Sequence, residues 1–197
     1  GYTLEKLLGL KENNIALPDL KDIELKAHRI GSTSLITLFT FNRKAWKMNP
    51  LKAVKKFGTP DKKGRLGLYF TMSRVPNSMG LFLQIETGSI SVRHISGEMV
   101  VEWSLEDLAK QYIKKLPGLI FVSALSEMRG DIEWFKYNRA QLLQDTSSEI
   151  LHDQIERGNV FVDLRLHDKG TMARNHGTAF RTHEDNFPAL FRTVEEL

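Results

Sequence analysis

The 197-residue chain contains no cysteine. That excludes a disulfide framework, a thiolate zinc site and a cysteine nucleophile, and it leaves a reducing cytoplasm as a compatible compartment. No apolar run approaches the roughly 18 residues that a membrane-spanning helix needs, and no signal-peptide pattern opens the chain. The sequence therefore reads as soluble, with no membrane partner. A strong surplus of one charge is also missing. Lys and Arg number 28 against 24 Asp and Glu, and the net charge of +4 leans toward polyanions without deciding for them. What remains, 41% hydrophobic and 26% charged residues, is the composition of one globular domain able to bury a core. Gly1 stands where an initiator Met would, and Leu4, Leu7 and Leu8 follow at helical spacing. This opening reads as a fragment of something longer, which leaves room for an additional domain, or as a trimmed chain.

Repeats and low-complexity tracts are absent, and the pattern along the chain mixes α and β elements. Thr3 is positioned to cap a short helix that Gly9 ends, and "SLITLFTF" (Ser34 to Phe41) reads as a strand. Asn49, Pro50 and Gly58 bracket a basic helix, "NPLKAVKKFG". Turn signals at Thr87-Gly88 and Ser96-Gly97 cut the next stretch into an antiparallel meander. Ser104 with Asp107 opens a helix whose apolar stripe is Leu105, Leu108, Tyr112, Ile113 and Leu116. A strand "GLIFVSAL", a helical region from Asn138 to Arg157 and a strand from Asn159 to His167 follow, and the chain closes on a short amphipathic tail. This order predicts an α/β fold with a mixed sheet flanked by helices, and not a doubly wound parallel one.

Chemistry gathers at "LPDLKDIELKAHR" (Leu17 to Arg29). On a strand, Asp22, Glu24 and Lys26 share one face while Ile23 and Leu25 take the other. Asp19, across the Leu20-Lys21-Asp22 bend, is placed to fold back beside Glu24. Two adjacent carboxylates repel unless a cation lies between them, and hard oxygen donors with free water positions suit Mg²⁺. A neighbouring lysine then holds the attacking water or balances charge on a phosphorus centre, which is the logic of phosphodiester hydrolysis. Acid-x-Lys triplets alone are cheap. Asp61-x-Lys63 in "TPDKKG" also follows a proline, but it lies in a loop and has no second acid. On residues alone, a charged strand edge that deters aggregation stays open as the alternative. His28, on the face of Lys26, reads as a surface histidine or a phosphate contact.

Pro18-Asp19 with Glu24-Leu25-Lys26 resembles the Pro-Asp and Glu-x-Lys motif of the restriction-endonuclease superfamily. From "TLEKLLGLKENNIALPDLKDIELKAHR" into "SLITLFT" the chain resembles the MvaI/BcnI family of restriction endonucleases, and more distantly the mismatch-repair nicking enzyme MutH. A second block, "VDLRLHDKG" followed by "NHGTAFR", resembles that family's late strand and recognition loop. The resemblance implies a restriction-endonuclease-like fold with catalytic elements in about residues 1–60 and recognition elements in about 158–185. It implies Asp19 and Glu24 as ligands of Mg²⁺, Lys26 as the residue assisting the water, and Glu5 as a supporting helical acid. It further implies Asp163, Arg165, Asn175, His176 and Arg181 as DNA contacts, a monomer acting on double-stranded DNA, and a prokaryotic cytoplasm. Products would carry 5′-phosphate and 3′-hydroxyl ends at a short G·C-rich site.

The residue types suit those roles. Asp163 and Arg165 are two apart on a strand and point to one face. Arg can donate twice to guanine O6 and N7, and Asp can accept from cytosine N4. Where at least one member of the resembled family carries Asp, this chain has Asn175, which donates as well as accepts, so the base pair read there is open. Lys52, Lys55 and Lys56 in "NRKAWKMNPLKAVKKFG" form either a phosphate-contacting surface or a solubilising face. Trp103 and the aromatics of "EWFKY" read as packing residues. Two rival functions remain at this stage: a MutH-like DNA nicking enzyme, and a sequence-specific DNA-binding module with an idle centre.

Overall fold

The computed structural model describes residues 2–9, 18–42 and 45–197. Residues 10–17, inside the first block of resemblance, and Arg43 and Lys44 of the basic stretch lie outside them. The chain runs α1 (Tyr2–Leu7), β1 (Glu24–Arg29), β2 (Ile36–Thr40), α2 (Pro50–Phe57), β3 (Thr59–Pro60), β4 (Leu66–Met72), β5 (Leu81–Glu86), β6 (Ser89–His94) and β7 (Met99–Ser104). It continues with α3 (Leu105–Lys115), β8 (Gly118–Arg129), β9 (Ile132–Gln144), α4 (Ser148–Glu156), β10 (Phe161–Asp168), β11 (Ala173–Asn175), β12 (Ala179–Thr182), two short 3-10 turns and β13 (Thr193–Glu196).

The strands build three sheets. One has the order β1-β8-β9-β13, a second β2-β12-β10-β4-β3 with β11 on β10, and the third is the β5-β6-β7 meander. β1 runs parallel to β8, which makes the first sheet mixed. Leu119 and Phe121 of β8 pass into one continuous core with Val162, Leu164 and Leu166 of β10, Phe39 and Phe180 of the second sheet, Leu108 and Tyr112 of α3, and Leu116 just after it. The other face of the β1-β8 pair packs Leu25 and Val122 against Leu4 of α1. β1 thus has packing on both faces and is an edge strand among the described residues.

Helix ends follow their capping residues. Asn49 accepts from the Leu51 and Lys52 amides at 2.9 and 3.2 Å, and Ser104 accepts from Asp107 N at 3.3 Å. Such caps contribute about 1 kcal/mol each. Tyr112, fully buried, donates its hydroxyl to the carbonyl of Leu190, which ties α3 to the C-terminal segment.

Four local expectations are corrected. Thr3 lies inside α1 rather than capping it, because the helix begins at Tyr2. Asp22 is an exposed turn residue ahead of β1, not a strand neighbour of Glu24. Ile113 turns out to be exposed, with Ala109 buried in the stripe instead, since 100° per residue places 113 on the flank of the 105-108-112 row. The helix expected from Asn138 begins only at Ser148. Residues up to Gln144 belong to β9, paired antiparallel with β8 along its whole length. Long-range pairing overrides the local helical signal of "AQLLQ".

Candidate active site

Glu24 and Lys26 open β1 and lie opposite Leu119 and Phe121 of β8, so both side chains project on the main-core side of the sheet. A tight turn delivers the second acid. Leu20 bridges to Ile23, Lys21 takes a φ of 60°, and the chain doubles back so that Asp19 Oδ2 accepts from the Leu25 amide at 3.1 Å. That carboxylate therefore sits on the backbone of the residue following Glu24. Lys26 Nζ donates to Glu24 Oε1 at 3.1 Å. Three predicted residues are brought together within eight positions of sequence.

A fourth group is one that sequence reasoning missed. Lys115, at the C-terminal end of α3, holds its ammonium 2.8 Å from Glu24 Oε2. Glu24 is 5% exposed and lies between the ammonium groups of Lys26 and Lys115, an arrangement that offsets the cost of burying a carboxylate. No local sequence signal marks Lys115, because its helix reads as an ordinary amphipathic one. Glu5 is half-buried on α1 and makes no hydrogen bond or ion pair with the cluster among the described residues.

His28 is the next residue along the same face, and the structure corrects its surface reading. Its side chain is 8% exposed, and Nδ1 lies 3.0 Å from Glu184 Oε2. Ser123 of β8 donates to the other oxygen of Glu184 at 3.3 Å. Glu184 follows β12 by two residues, so this contact joins the strand carrying Glu24 and Lys26 to the second sheet.

On the second sheet, Asp163, Arg165 and His167 alternate with Val162, Leu164 and Leu166, and the apolar row is fully buried. Asp163 accepts from Thr71 Oγ1 and Arg181 Nη1, both at 2.6 Å, and Arg181 also donates to the carbonyl of Leu35. Asp163 is thus paired with Arg181, not with its strand neighbour Arg165, whose Nε donates to Gly177 O at 3.2 Å. The loop between β11 and β12 is held closely. Asn175 Oδ1 accepts from Gly177 N at 2.8 Å, Asn42 Oδ1 accepts from Thr178 N at 2.6 Å, and His176 N donates to Arg165 O at 2.8 Å. Gly177 adopts a φ of 104°, a left-handed conformation that only glycine takes at no steric cost. Asn175 and His176 stand exposed on that loop.

Of the other basic and aromatic residues, Lys52 and Lys55 are exposed on α2, while Lys56 pairs with Glu98. Trp103 is core, as its pattern suggests, but Trp134 is half exposed on the β8-β9 arm beneath the guanidinium of Arg129. No helix among the described residues is long and apolar enough to cross a membrane.

Comparison with known proteins adds to this geometry. The family model of the MvaI/BcnI restriction endonuclease family matches residues 1–191. A search of curated proteins found no match. Among solved structures, the chain is similar to restriction endonuclease MvaI in complex with its cognate DNA substrate. The TM-score is 0.81 at 28% identity, covering 100% of this chain and 86% of that one. It is similar also to MvaI in the absence of DNA, with a TM-score of 0.61 at 28% identity, covering 100% and 87%. Restriction endonucleases generally use divalent metal ions. The chain belongs to the MvaI/BcnI family of restriction endonucleases, and its activity is that of a type II enzyme hydrolysing DNA.

Proposed function

We propose that this enzyme cleaves both strands of double-stranded DNA at a short G·C-rich site, as a Mg²⁺-dependent monomer in a prokaryotic cytoplasm. The observation that carries the chemistry is the Asp19, Glu24 and Lys26 cluster on the rim of β1. Two hard carboxylate oxygen donors, Asp19 on the Leu25 amide and Glu24 on the strand itself, fit a hard cation that keeps several waters. Asp19 and Glu24 would hold Mg²⁺, which when bound acidifies water and neutralises phosphate charge. Lys26 keeps an ammonium within hydrogen-bond reach of Glu24, where it orients a water or balances charge developing on the phosphate. Asp19, fixed by the Leu25 amide, cannot drift from the strand. Lys115 neutralises the far oxygen of Glu24 and so holds the carboxylate in register.

Reading of the site falls to the second sheet and its loop. Arg165 and Arg181 have the fork that meets guanine O6 and N7, and Asp163, with lone pairs beyond its two bonds, suits cytosine N4. Asn175, at the end of β11, and His176 are exposed to solvent, where a groove would lie, and Glu5 of α1 takes the role of a supporting acid outside the hydrogen-bonded cluster. The test is a digest of mixed-sequence plasmid with Mg²⁺ beside Ca²⁺, with fragment ends sequenced. Discrete linear fragments sharing one short sequence support the proposal. Open circles without linear product would make it a nicking enzyme, and binding without cutting would make it a DNA-binding module.

A further inference from the structure

His167 extends the Asp163 and Arg165 row by one more step, and its surroundings are unusual for a core position. It is 3% exposed, yet its Nε2 has no hydrogen-bond partner among the described residues. A leucine would fill such a place without leaving a buried nitrogen unpaired, so the imidazole carries a cost that packing does not explain. Its other nitrogen, Nδ1, is met from two sides, by Tyr69 Oη at 3.1 Å and by His176 Nε2 at 2.9 Å. The His167 and His176 ring centroids lie 4.9 Å apart with planes 24° apart, an edge-on and nearly coplanar arrangement suited to an N–H···N bond. His176 is therefore held twice, through its ring and through its backbone amide on Arg165 O.

The far side of the seat is prepared as well. His167 lies opposite Gly67 in the β10-β4 register, and a Cβ at Gly67 would stand 2.4 Å from the Tyr69 ring. Glycine at 67 lets that ring fold over and bring its hydroxyl to His167. The outer nitrogen of His176, Nδ1, makes no hydrogen bond among the described residues and belongs to an exposed side chain.

We propose that His167 is a positioning residue for sequence recognition: with Tyr69 it fixes the ring plane of His176 so that the outer nitrogen of His176 meets one base pair of duplex DNA. The inference rests on the reading of His176 as a DNA contact. Because the two facing nitrogens share one proton, His167 also dictates whether His176 offers its outer nitrogen as donor or acceptor.

The test selects randomised DNA duplexes for binding in Ca²⁺, which reports base preference apart from cleavage, with the salt dependence of binding measured alongside. Wild type is compared with His176→Ala, His167→Leu, His167→Asn and Tyr69→Phe. A base-pair preference typically amounts to about tenfold or more. His176→Ala and His167→Leu should erase preference at the same single base pair and leave the salt slope unchanged. Asn at 167, whose side chain reaches the position of Nδ1, should restore most of it, and Tyr69→Phe should weaken the same position in a protein with its core intact. Preference lost in His176→Ala but kept in His167→Leu and Tyr69→Phe would overturn the positioning role while sparing His176. Preference unchanged in His176→Ala would overturn the reading of His176, and the inference with it. An even loss over all positions in His167→Leu, unrescued by Asn, would make His167 a residue of the fold alone.

Discussion

His167 is the titratable group whose surroundings bear most directly on pH. Burial, and then the neighbouring His176, lower its pKa below the ordinary histidine value of 6.5. Lys169, Arg65 and Arg174 push in the same direction, and Tyr69 offers a neutral hydroxyl. The unfolded chain therefore binds a proton at this residue more readily than the folded one. Stability is complete above the unfolded value and is lost as pH falls below about 6.5. Melting temperature should drop on acidification from pH 7 toward 5, and His167→Asn should flatten that slope. A slope identical in both proteins would assign the acid sensitivity to other groups.

At the scale of elements, α3 does two jobs. Its Leu108 and Tyr112 face anchors it in the core, and its last residue places Lys115 against Glu24. Outer partners of metal-holding carboxylates typically matter by about 10- to 100-fold. Lys115→Met should lower the cleavage rate by about that factor while DNA affinity in Ca²⁺ is retained; an unchanged rate would leave Lys115 a charge balance only. Sequence reading found the Asp19, Glu24 and Lys26 group because a turn and an alternating strand bring these residues together locally. It found the Asp163 row for the same reason. Lys115, Tyr69 and Glu184 escaped it because they arrive through pairings of distant segments; Glu184 lies 156 residues from His28. β9 escaped as well, since "AQLLQ" satisfies a helical period and only β8 as a partner makes it a strand.

At the scale of the molecule, the proposed catalytic and recognition residues occupy different sheets that share one core, with the His28-Glu184 pair as a direct polar link. The chain superposes more closely on MvaI with cognate DNA than on MvaI without it, at equal identity. Exposed Lys52 and Lys55 on α2, which make no ion pair among the described residues, extend a basic surface. If both contact phosphates, replacing them by Ala should reduce the slope of log affinity against log salt by about 2. No change in slope would make α2 a solubilising face.

The chemistry proposed for this enzyme lies on the rim of β1. Single-turnover cleavage of the enzyme's own selected site in Mg²⁺, with duplex binding in Ca²⁺ measured in parallel, compares wild type with Lys26→Ala and Glu24→Gln. Cleavage should slow by at least about 10²- to 10³-fold in both variants, with binding preserved. Wild-type cleavage rates in either variant would contradict it.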